Sequence, residues 1–267
     1  MHLRRSPPLF LLILAACAGD PATFAARHTT PDERRFARTY LQLLAEGRVD
    51  SAYSFLIPDF RSDTARQALA GVAGILRHAQ LDSLRLIGVN LNTMTGRDKW
   101  RDVNFTYEFP GASPGWITAN VATRQRSGTV VVIGFSAYPL PGPLEILNRF
   151  TLAGKSPGHY LVLILAALLP VLTISVSIKL ILARGMPRRW LWALAALLGS
   201  PVFALNWTTG QTAFTETWVL LFCASALKAG PAAPWIISVA VPLGSGVSYL
   251  RLKAWRRSRD SINLVAA

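Results

Sequence analysis

The sequence predicts an exported α+β domain followed by an all-α membrane block. Residues 160–178 form a run of nineteen without a charged side chain. At about 1.5 Å per residue, such a helix is roughly 28 Å long, close to the thickness of the hydrocarbon core of a bilayer. Before this run, helical spacing of apolar residues gives way to the alternation that is typical of strands. After it, further uncharged runs are separated by basic segments.

The placement of charge favours a membrane protein over a nucleic-acid-binding protein. The net charge is +14, and residues 159–267 contain ten Lys or Arg against two acids, Glu216 and Asp260. Membrane proteins typically retain Lys and Arg at the cytoplasmic ends of their apolar segments. The two cysteines, Cys17 and Cys223, lie in a signal-like segment and in an apolar run, so no disulfide framework is indicated.

Residues 1–17 have the layout of a lipoprotein-type signal peptide. Arg4 and Arg5 precede an apolar core, residues 9–16, that is too short to span a membrane. The ending Leu14-Ala15-Ala16-Cys17 resembles the bacterial lipobox, which implies that Cys17 is lipidated and becomes the new N-terminus. Ordinary cleavage around Ala16-Cys17-Ala18 is the alternative. Both alternatives export the chain that follows, which begins with a tether over residues 18–29.

Residues 30–138 predict three helices followed by a four-stranded antiparallel sheet. Thr30, Pro31 and Glu33 are typical of a capped helix start, and Gly47 ends that helix. Shorter helical patterns follow at residues 49–56 and from Ser62. A period of two then predicts strands from Leu84 and at residues 103–107, 116–123 and 129–138, with turn residues between them that suit hairpins.

The order of these elements carries a resemblance. Asp50-Ser51-Ala52-Tyr53 lies on a helix that follows a glycine turn, and a run of strands comes next. This arrangement resembles the nuclear transport factor 2-like (cystatin-like) fold. The resemblance implies a curved sheet whose concave face is covered by the helices.

A Pro-rich juxtamembrane connector, residues 139–158, is expected to lead into a membrane block over residues 159–252. Three transmembrane helices are predicted at about residues 160–182, 190–207 and 233–250, each with an internal proline: Pro170, Pro201 and Pro242. Residues 218–227 form an uncharged run that is too short to span, so we expect it to be interfacial or re-entrant, although a fourth span is the alternative. Gly244-Ser245-Gly246 is expected to allow close helix approach.

Basic residues predict the orientation of this block. With the N-terminal domain exported, the loop containing Arg184, Arg188 and Arg189 is cytoplasmic. With three spans, the basic cytoplasmic tail over residues 253–267 lies on the same side. The topology-setting residues at that end are Arg251, Lys253, Arg256, Arg257 and Arg259.

Three short stretches add a second resemblance. Phe150-Thr151-Leu152-Ala153-Gly154-Lys155, Leu205-Asn206-Trp207-Thr208-Thr209-Gly210, and Pro234-Trp235 with Pro242-Leu243-Gly244 are similar to segments of uncharacterised bacterial lipoprotein-like membrane proteins. The resemblance implies that the two halves form one unit. It implies no activity.

The sequence contains no recognisable catalytic constellation. No His pair has metal-ligand spacing, and neither a nucleophile elbow nor a phosphate-binding loop is present, so no metal and no cofactor are expected. Asp102 and Glu108 are expected on a solvated strand face and Tyr107 in the core. His78 lies where the third helix is predicted to end, and it could line the mouth of a pocket. A helix C-terminus favours a cationic histidine, so a capping role is preferred. The predicted spans contain no Asp, Glu or His, which argues against an ion pump.

These observations predict a non-catalytic, membrane-anchored envelope protein. Its exported domain is expected to bind a partner or an apolar ligand, while its helices dock in a membrane complex. The expected location is the bacterial inner membrane, crossed several times, with the N-terminal domain on the periplasmic or extracellular side and the C-terminus in the cytoplasm. Expected partners are membrane lipid and other membrane proteins or a second copy of the chain, but not nucleic acid. The alternative is a small-substrate isomerase or hydrolase that uses the concave pocket.

Overall fold

A computed structural model of the chain describes residues 20–77, 79–95, 99–112, 115–126 and 128–265, with side chains up to residue 259. The chain divides into two compact units. The first comprises Met1–Leu147 with Ala229–Ala233, and the second comprises Asn148–Lys228 with Pro234–Ala267.

The described part of the first unit, from residue 20, opens with four α-helices. They are α1 (Pro21–His28), α2 (Pro31–Ala45), α3 (Val49–Ser54) and α4 (Asp63–Leu76). The predicted start of α2 is present: the Thr30 hydroxyl accepts from the Glu33 amide, and the Glu33 carboxylate accepts from the Thr30 amide, so two free amides of the first turn are satisfied. The stretch predicted as a tether contains α1, which the Asp20 carboxylate caps.

Four strands follow these helices in sequence order. They are β1 (Arg85–Met94), β2 (Trp100–Pro110), β3 (Trp116–Arg126) and β4 (Thr129–Leu140), arranged β1-β2-β3-β4 with every neighbour antiparallel. Phe105 lies opposite Val89 on one side and Val121 on the other. This apolar row faces the helices, and the core of the unit lies between them. A short helix, α5 (Leu144–Leu147), ends the unit.

The second unit is built around one long helix, α6 (Pro157–Leu182). The later elements are α7 (Arg189–Ala195), β5 (Leu198–Gly199), β6 (Val202–Asn206), β7 (Thr212–Thr215), β8 (Leu220–Leu221), β9 (Ala224–Lys228), β10 (Trp235–Ala240) and α8 (Leu243–Val265). Four of the strands form an antiparallel sheet in the order β7-β6-β10-β9, and β5 pairs with β8. Leu205 and Ile237 of this sheet pack on Val162 of α6, in the N-terminal half of the helix. Ala193 of α7 and Leu252 of α8 pack with Val176 and Leu180 in its C-terminal half.

The predicted fold class is therefore wrong for the membrane block. Among the described residues, only α6 is a helix long and apolar enough to cross a membrane. Residues 190–207 form α7 and then β6, and residues 233–250 form β10 and then the start of α8. Residues 218–227, predicted to be interfacial, contribute β8 and most of β9. The block is a mixture of helix and sheet instead of three helices.

Proline and glycine explain the error. Pro201 follows Gly199-Ser200 and directly precedes β6, while β10 lies between Pro234 and Pro242. Proline removes an amide that an α-helix uses and clashes with the preceding turn, but α6 contains Pro170 and remains a helix, so proline alone does not decide the outcome. Phe203, Ile236 and Ile237 have the aromatic and β-branched side chains that strands favour, and Gly199-Ser200 precedes Pro201. The combination of proline with these neighbours distinguishes the two strand-containing runs from α6.

Small residues allow α8 to start against the end of α7. A Cβ atom added to Gly244 would lie 1.9 Å from the carbonyl oxygen of Ala195. The Ser245 hydroxyl donates to the Ala196 carbonyl at 2.5 Å, and the Ser248 hydroxyl donates to the Trp192 carbonyl at 3.0 Å. Ser245 thus satisfies the carbonyl of Ala196, which directly follows α7, and Ser248 adds a second hydrogen bond to the Trp192 carbonyl, which also accepts from the Ala196 amide. The close approach predicted from Gly244-Ser245-Gly246 is confirmed at Gly244.

We expect Gly244→Ala to lower the stability of the full chain by about 1 to 3 kcal/mol, because α8 must move away from α7 to accept even one methyl group. Gly246→Ala is the matched control, since a Cβ atom there meets nothing within 4 Å. Thermal unfolding of both variants in the same detergent measures the difference. Equal midpoints for the two variants would contradict the tight contact at Gly244.

Candidate functional site

The surface of α6 is apolar and largely uncovered. The helix has 26 residues, so it is about 39 Å long, and only 17% of its most apolar stretch is buried. Leu161, Ile164 and Leu168 are more than half exposed, and Ile178 is half exposed. A core helix of a water-soluble protein would bury most of such residues. Exposure of this extent is typical of a surface that contacts lipid or another protein.

Aromatic side chains gather at the N-terminal end of α6, and we call this cluster the aromatic end. Trp207 is fully buried there, and its indole donates to the Thr151 carbonyl at 2.8 Å. Phe150 stacks on Trp207 with ring centres 4.7 Å apart. The Lys155 ammonium donates to the Trp207 carbonyl at 2.8 Å, and the Tyr160 hydroxyl donates to the Leu152 carbonyl at 2.6 Å. The satisfied indole of Trp207 is what its burial in the protein requires, whereas Tyr160 is exposed, and an exposed Tyr at the end of an apolar helix is typical of the membrane–water interface.

Basic side chains gather at the opposite end of α6, and we call this group the basic end. It comprises Arg184, Arg188 and Arg189 from the α6–α7 connection, and Arg251, Lys253, Arg256, Arg257 and Arg259 from α8. All eight are exposed. Leu252 packs in the same cluster as Leu180, and the Trp255 ring lies 3.9 Å from the position of a Cβ on Gly185. The residues predicted to set topology are therefore at one end of α6.

An apolar groove lies beside the N-terminal half of α6. It has a volume of about 480 Å³ and is formed by Leu161 and Leu165 on the helix and by Phe203 and Val239 on the sheet. His159 lines the groove and is nine-tenths buried. Its Nδ1 atom lies 2.8 Å from the Ser156 hydroxyl, whereas Nε2 has no hydrogen-bond partner within the described structure.

The interior of the α+β domain is filled by its own side chains. Val103, Phe105, Tyr107 and Phe109 on β2 are at most 1% exposed and pack with apolar residues of α2, α3 and α4. Tyr107 was predicted in the core, and this is confirmed. The isomerase or hydrolase alternative requires an acid or base that points into a concave pocket. On the described helix-facing side, the buried acid is Glu33, which Thr30 and Arg101 hold in the cap of α2.

Two tyrosines are buried in this interior, and they differ in whether the hydroxyl has a hydrogen-bond partner. The Tyr40 hydroxyl is buried without a hydrogen-bond partner among the described atoms, and burial raises its pKa above the ordinary value. Burial also raises the pKa of Tyr107 to about 12, against the opposing effect of the hydrogen bond and positive charge of Arg38 and the charge of Arg34. Both phenols are therefore protonated at neutral pH and are unsuited to act as bases there.

The acids of β2 are held in ion pairs. Asp102 receives two hydrogen bonds of 2.7 Å from Arg124, and Arg124 lies 4.5 Å from the centre of the Trp100 ring. Glu108 is completely buried and contacts Arg85 at 2.9 Å and the Leu144 amide. The prediction of a solvated face is wrong for Glu108, because Arg85 and α5 cover it. Burial lowers the guanidinium pKa of Arg85, but the hydrogen bonds and negative charges of Glu108 and Glu145 raise it more, so the pKa lies above its ordinary value.

A polar cleft of about 780 Å³ opens on the surface of the same domain. Arg38, Gln42 and Glu46 line it from successive turns of α2, because residues four apart share a helix face. The opposite wall is the connection between α4 and β1, with Arg77, Gln80, Asp82 and Ser83. Gln42 donates to Glu46 at 3.0 Å. Within the described structure, neither Arg38 nor Arg77 is in an ion pair, and Arg38 is hydrogen-bonded to the neutral Tyr107 phenol, so an acidic side chain of the protein neutralises neither charge there.

The predicted site residues are only partly placed. Cys17 and His78 lie outside the described residues. In the described part of the chain, no group of three His, Cys, Asp or Glu side chains is arranged to hold a metal ion. Sequence analysis missed the cleft and the central position of Trp207. The spacing of Arg38, Gln42 and Glu46 could have indicated a polar stripe, but the wall opposite it depends on the fold.

No protein-family model matches this chain, and searches of curated proteins and of solved structures found no match. The resemblances to the nuclear transport factor 2-like fold and to lipoprotein-like membrane proteins therefore stay predictions.

We expect Tyr40→Phe to leave the full chain as stable or to stabilise it by up to about 1 kcal/mol, because the variant removes a buried hydroxyl without a partner. Tyr107→Phe removes the hydroxyl bonded to Arg38 and should cost about 1 kcal/mol. The two variants delete the same atom from the same core. Thermal unfolding in detergent compares them, and a greater loss for Tyr40→Phe would show that its hydroxyl has a partner after all.

Proposed function

We propose that this chain is a non-catalytic, membrane-anchored protein of the bacterial envelope whose exported α+β domain binds a partner protein. The anchor is α6, inserted in the inner membrane. The α+β domain lies on the periplasmic or extracellular side and the basic end lies in the cytoplasm. The observation that carries the proposal is an exposed apolar helix with an aromatic end and a basic end.

The two ends of α6 support this orientation. Tryptophan and tyrosine are enriched at both interfaces, whereas Lys and Arg are enriched on the cytoplasmic side alone. The basic end combines two segments that are far apart in sequence, so reversing the helix would place eight positive charges on the outer side. The signal-like segment over residues 1–17 independently favours export of the domain that precedes α6.

Binding through the surface of the domain is supported by the contrast between its interior and its cleft. The interior is filled with apolar side chains, so it offers no space for an apolar ligand. The cleft presents guanidinium, carboxylate and amide groups in an open groove. Its two guanidinium groups, Arg38 and Arg77, are balanced by two carboxylates, Glu46 and Asp82, so the set is complementary to a polar peptide segment that carries both acidic and basic side chains. We therefore assign the partner-binding role to the cleft, and the partner segment to such a peptide.

Cysteine labelling of intact cells tests the orientation. In a Cys223→Ala background, whose own labelling at Cys17 is measured and subtracted, Gln67→Cys on exposed α4 should react with a membrane-impermeant maleimide. Ala254→Cys, on the exposed side of α8 at the basic end, should react only after the cells are permeabilised. Labelling of Ala254→Cys in intact cells would overturn the orientation.

Photo-crosslinking tests the cleft. A photoreactive amino acid in place of Gln42, inside the cleft, should form an adduct with a partner protein in intact cells. Arg77→Glu should reduce this adduct at least about tenfold, because like charges across an interface cost several kcal/mol. Gln67, exposed on α4 and not a lining residue of the cleft, is the matched control position. Equal adducts from both positions, or no adduct from position 42, would contradict a partner in the cleft.

A further inference from the structure

The basic end is formed by two segments that are distant in sequence and adjacent in the structure. It joins the α6–α7 connection, with Arg184, to α8, with Arg256. Leu252 and Trp255 both pack on the apolar cluster that α6 and α7 form, and this packing holds the two segments side by side. Tertiary packing has concentrated cations from two parts of the chain at one end of one helix.

The described side chains, which end at residue 259, provide no acid that neutralises these cations. No acidic partner contacts any of the eight among the side chains that the structure describes. The interaction recorded for Arg259 is with the Trp255 ring, 5.7 Å from its centre. A concentrated positive surface without internal counter-charges attracts an anionic ligand.

Apolar surface adjoins this charge directly. Ile178, Ile181 and Leu182 are exposed on the last turns of α6, Trp190 and Leu194 are exposed on α7, and Leu250 is exposed on α8. A ligand that covers both surfaces must combine an acyl region with an anionic head. A nucleic acid or an acidic soluble protein would neutralise the cations but leave these apolar side chains in water.

We infer that the basic end binds the head groups of anionic phospholipids in the cytoplasmic leaflet, with phosphatidylglycerol as the probe that represents them. The inference rests on the proposed membrane anchoring and adds a lipid selectivity to it. Each Lys or Arg near an anionic membrane surface strengthens attachment about fivefold, and the effect decays within a Debye length. Selectivity should therefore fall with each cation removed and with rising salt concentration.

Native mass spectrometry of the full chain, released from nanodiscs of mixed composition, measures this selectivity. The nanodiscs contain phosphatidylcholine with increasing fractions of phosphatidylglycerol. We expect retained phosphatidylglycerol to exceed phosphatidylcholine, and Arg184→Gln with Arg256→Gln to weaken this preference about 25-fold. Arg184→Lys with Arg256→Lys should preserve the preference, because an ammonium supplies the same charge.

The matched control is Arg35→Gln with Arg48→Gln, which removes the same charge from exposed positions of the α+β domain. This control should retain the preference for phosphatidylglycerol. Thermal unfolding of each variant verifies that the exposed substitutions leave the fold intact. An equal loss in the control and in the test variant would overturn the inference, because net charge and not the basic end would then set the preference.

Equal retention of both lipids by the unmodified chain would also overturn the inference. So would binding of a double-stranded oligonucleotide at physiological salt in place of phosphatidylglycerol. Carbonate washing of membranes shows whether the lipid inference alone is wrong or whether the proposed membrane anchor is wrong as well. A chain that remains in the pellet but shows no lipid preference contradicts only the lipid inference, whereas a chain that is washed off contradicts the membrane anchor.

Discussion

One requirement determines the structure of the second unit. The segments that pack beside the apolar helix α6 must provide each of their backbone amides and carbonyls with a hydrogen-bond partner. A segment that lies in apolar surroundings cannot leave these groups unpaired, because each one then costs several kcal/mol. A continuous helix satisfies most of them within itself, as α6 does outside the turn that precedes Pro170. The segments around Pro201 and Pro242 are not continuous helices. They satisfy the requirement by pairing β6 with β10, and each of these strands also has an outer neighbour.

This arrangement explains why helix and strand alternate along α6. Seven helical residues of α7 extend about 10 Å, and five extended residues of β6 about 17 Å. Together they accompany much of α6, with the helical parts at its C-terminal half and the sheet at its N-terminal half. Glycine and serine are needed where one type of structure changes to the other. Gly244 permits the close approach there, and Ser245 and Ser248 donate hydrogen bonds to carbonyls at the end of α7.

The core of the first unit depends on the regular alternation of side chains along its strands. Alternation along β2 places one apolar row against the helices and one polar row on the outer face. Because large side chains fill the space between helices and sheet, the polar groups that can bind a ligand lie at the margin of the domain, in the cleft. Arg38 connects the two regions, since it lines the cleft and is hydrogen-bonded to the buried Tyr107. A partner that contacts Arg38 would therefore contact a side chain that the core already orients.

The sequence by itself determined the features that depend on local patterns. The capped start of α2, a long apolar helix predicted over residues 160–182 and the four strands of the first sheet follow from spacing that neighbouring residues set; the structure starts that helix at Pro157. It also located the basic residues, although not their convergence. Only the tertiary structure decided that residues 190–207 and 233–250 are partly strand, because β6 and β10 pair with each other through residues 30 to 38 positions apart in sequence. The cleft, the burial of Glu108 and the joining of two cationic segments at one end of α6 likewise arise from contacts between elements distant in sequence, for which a local pattern carries no signal.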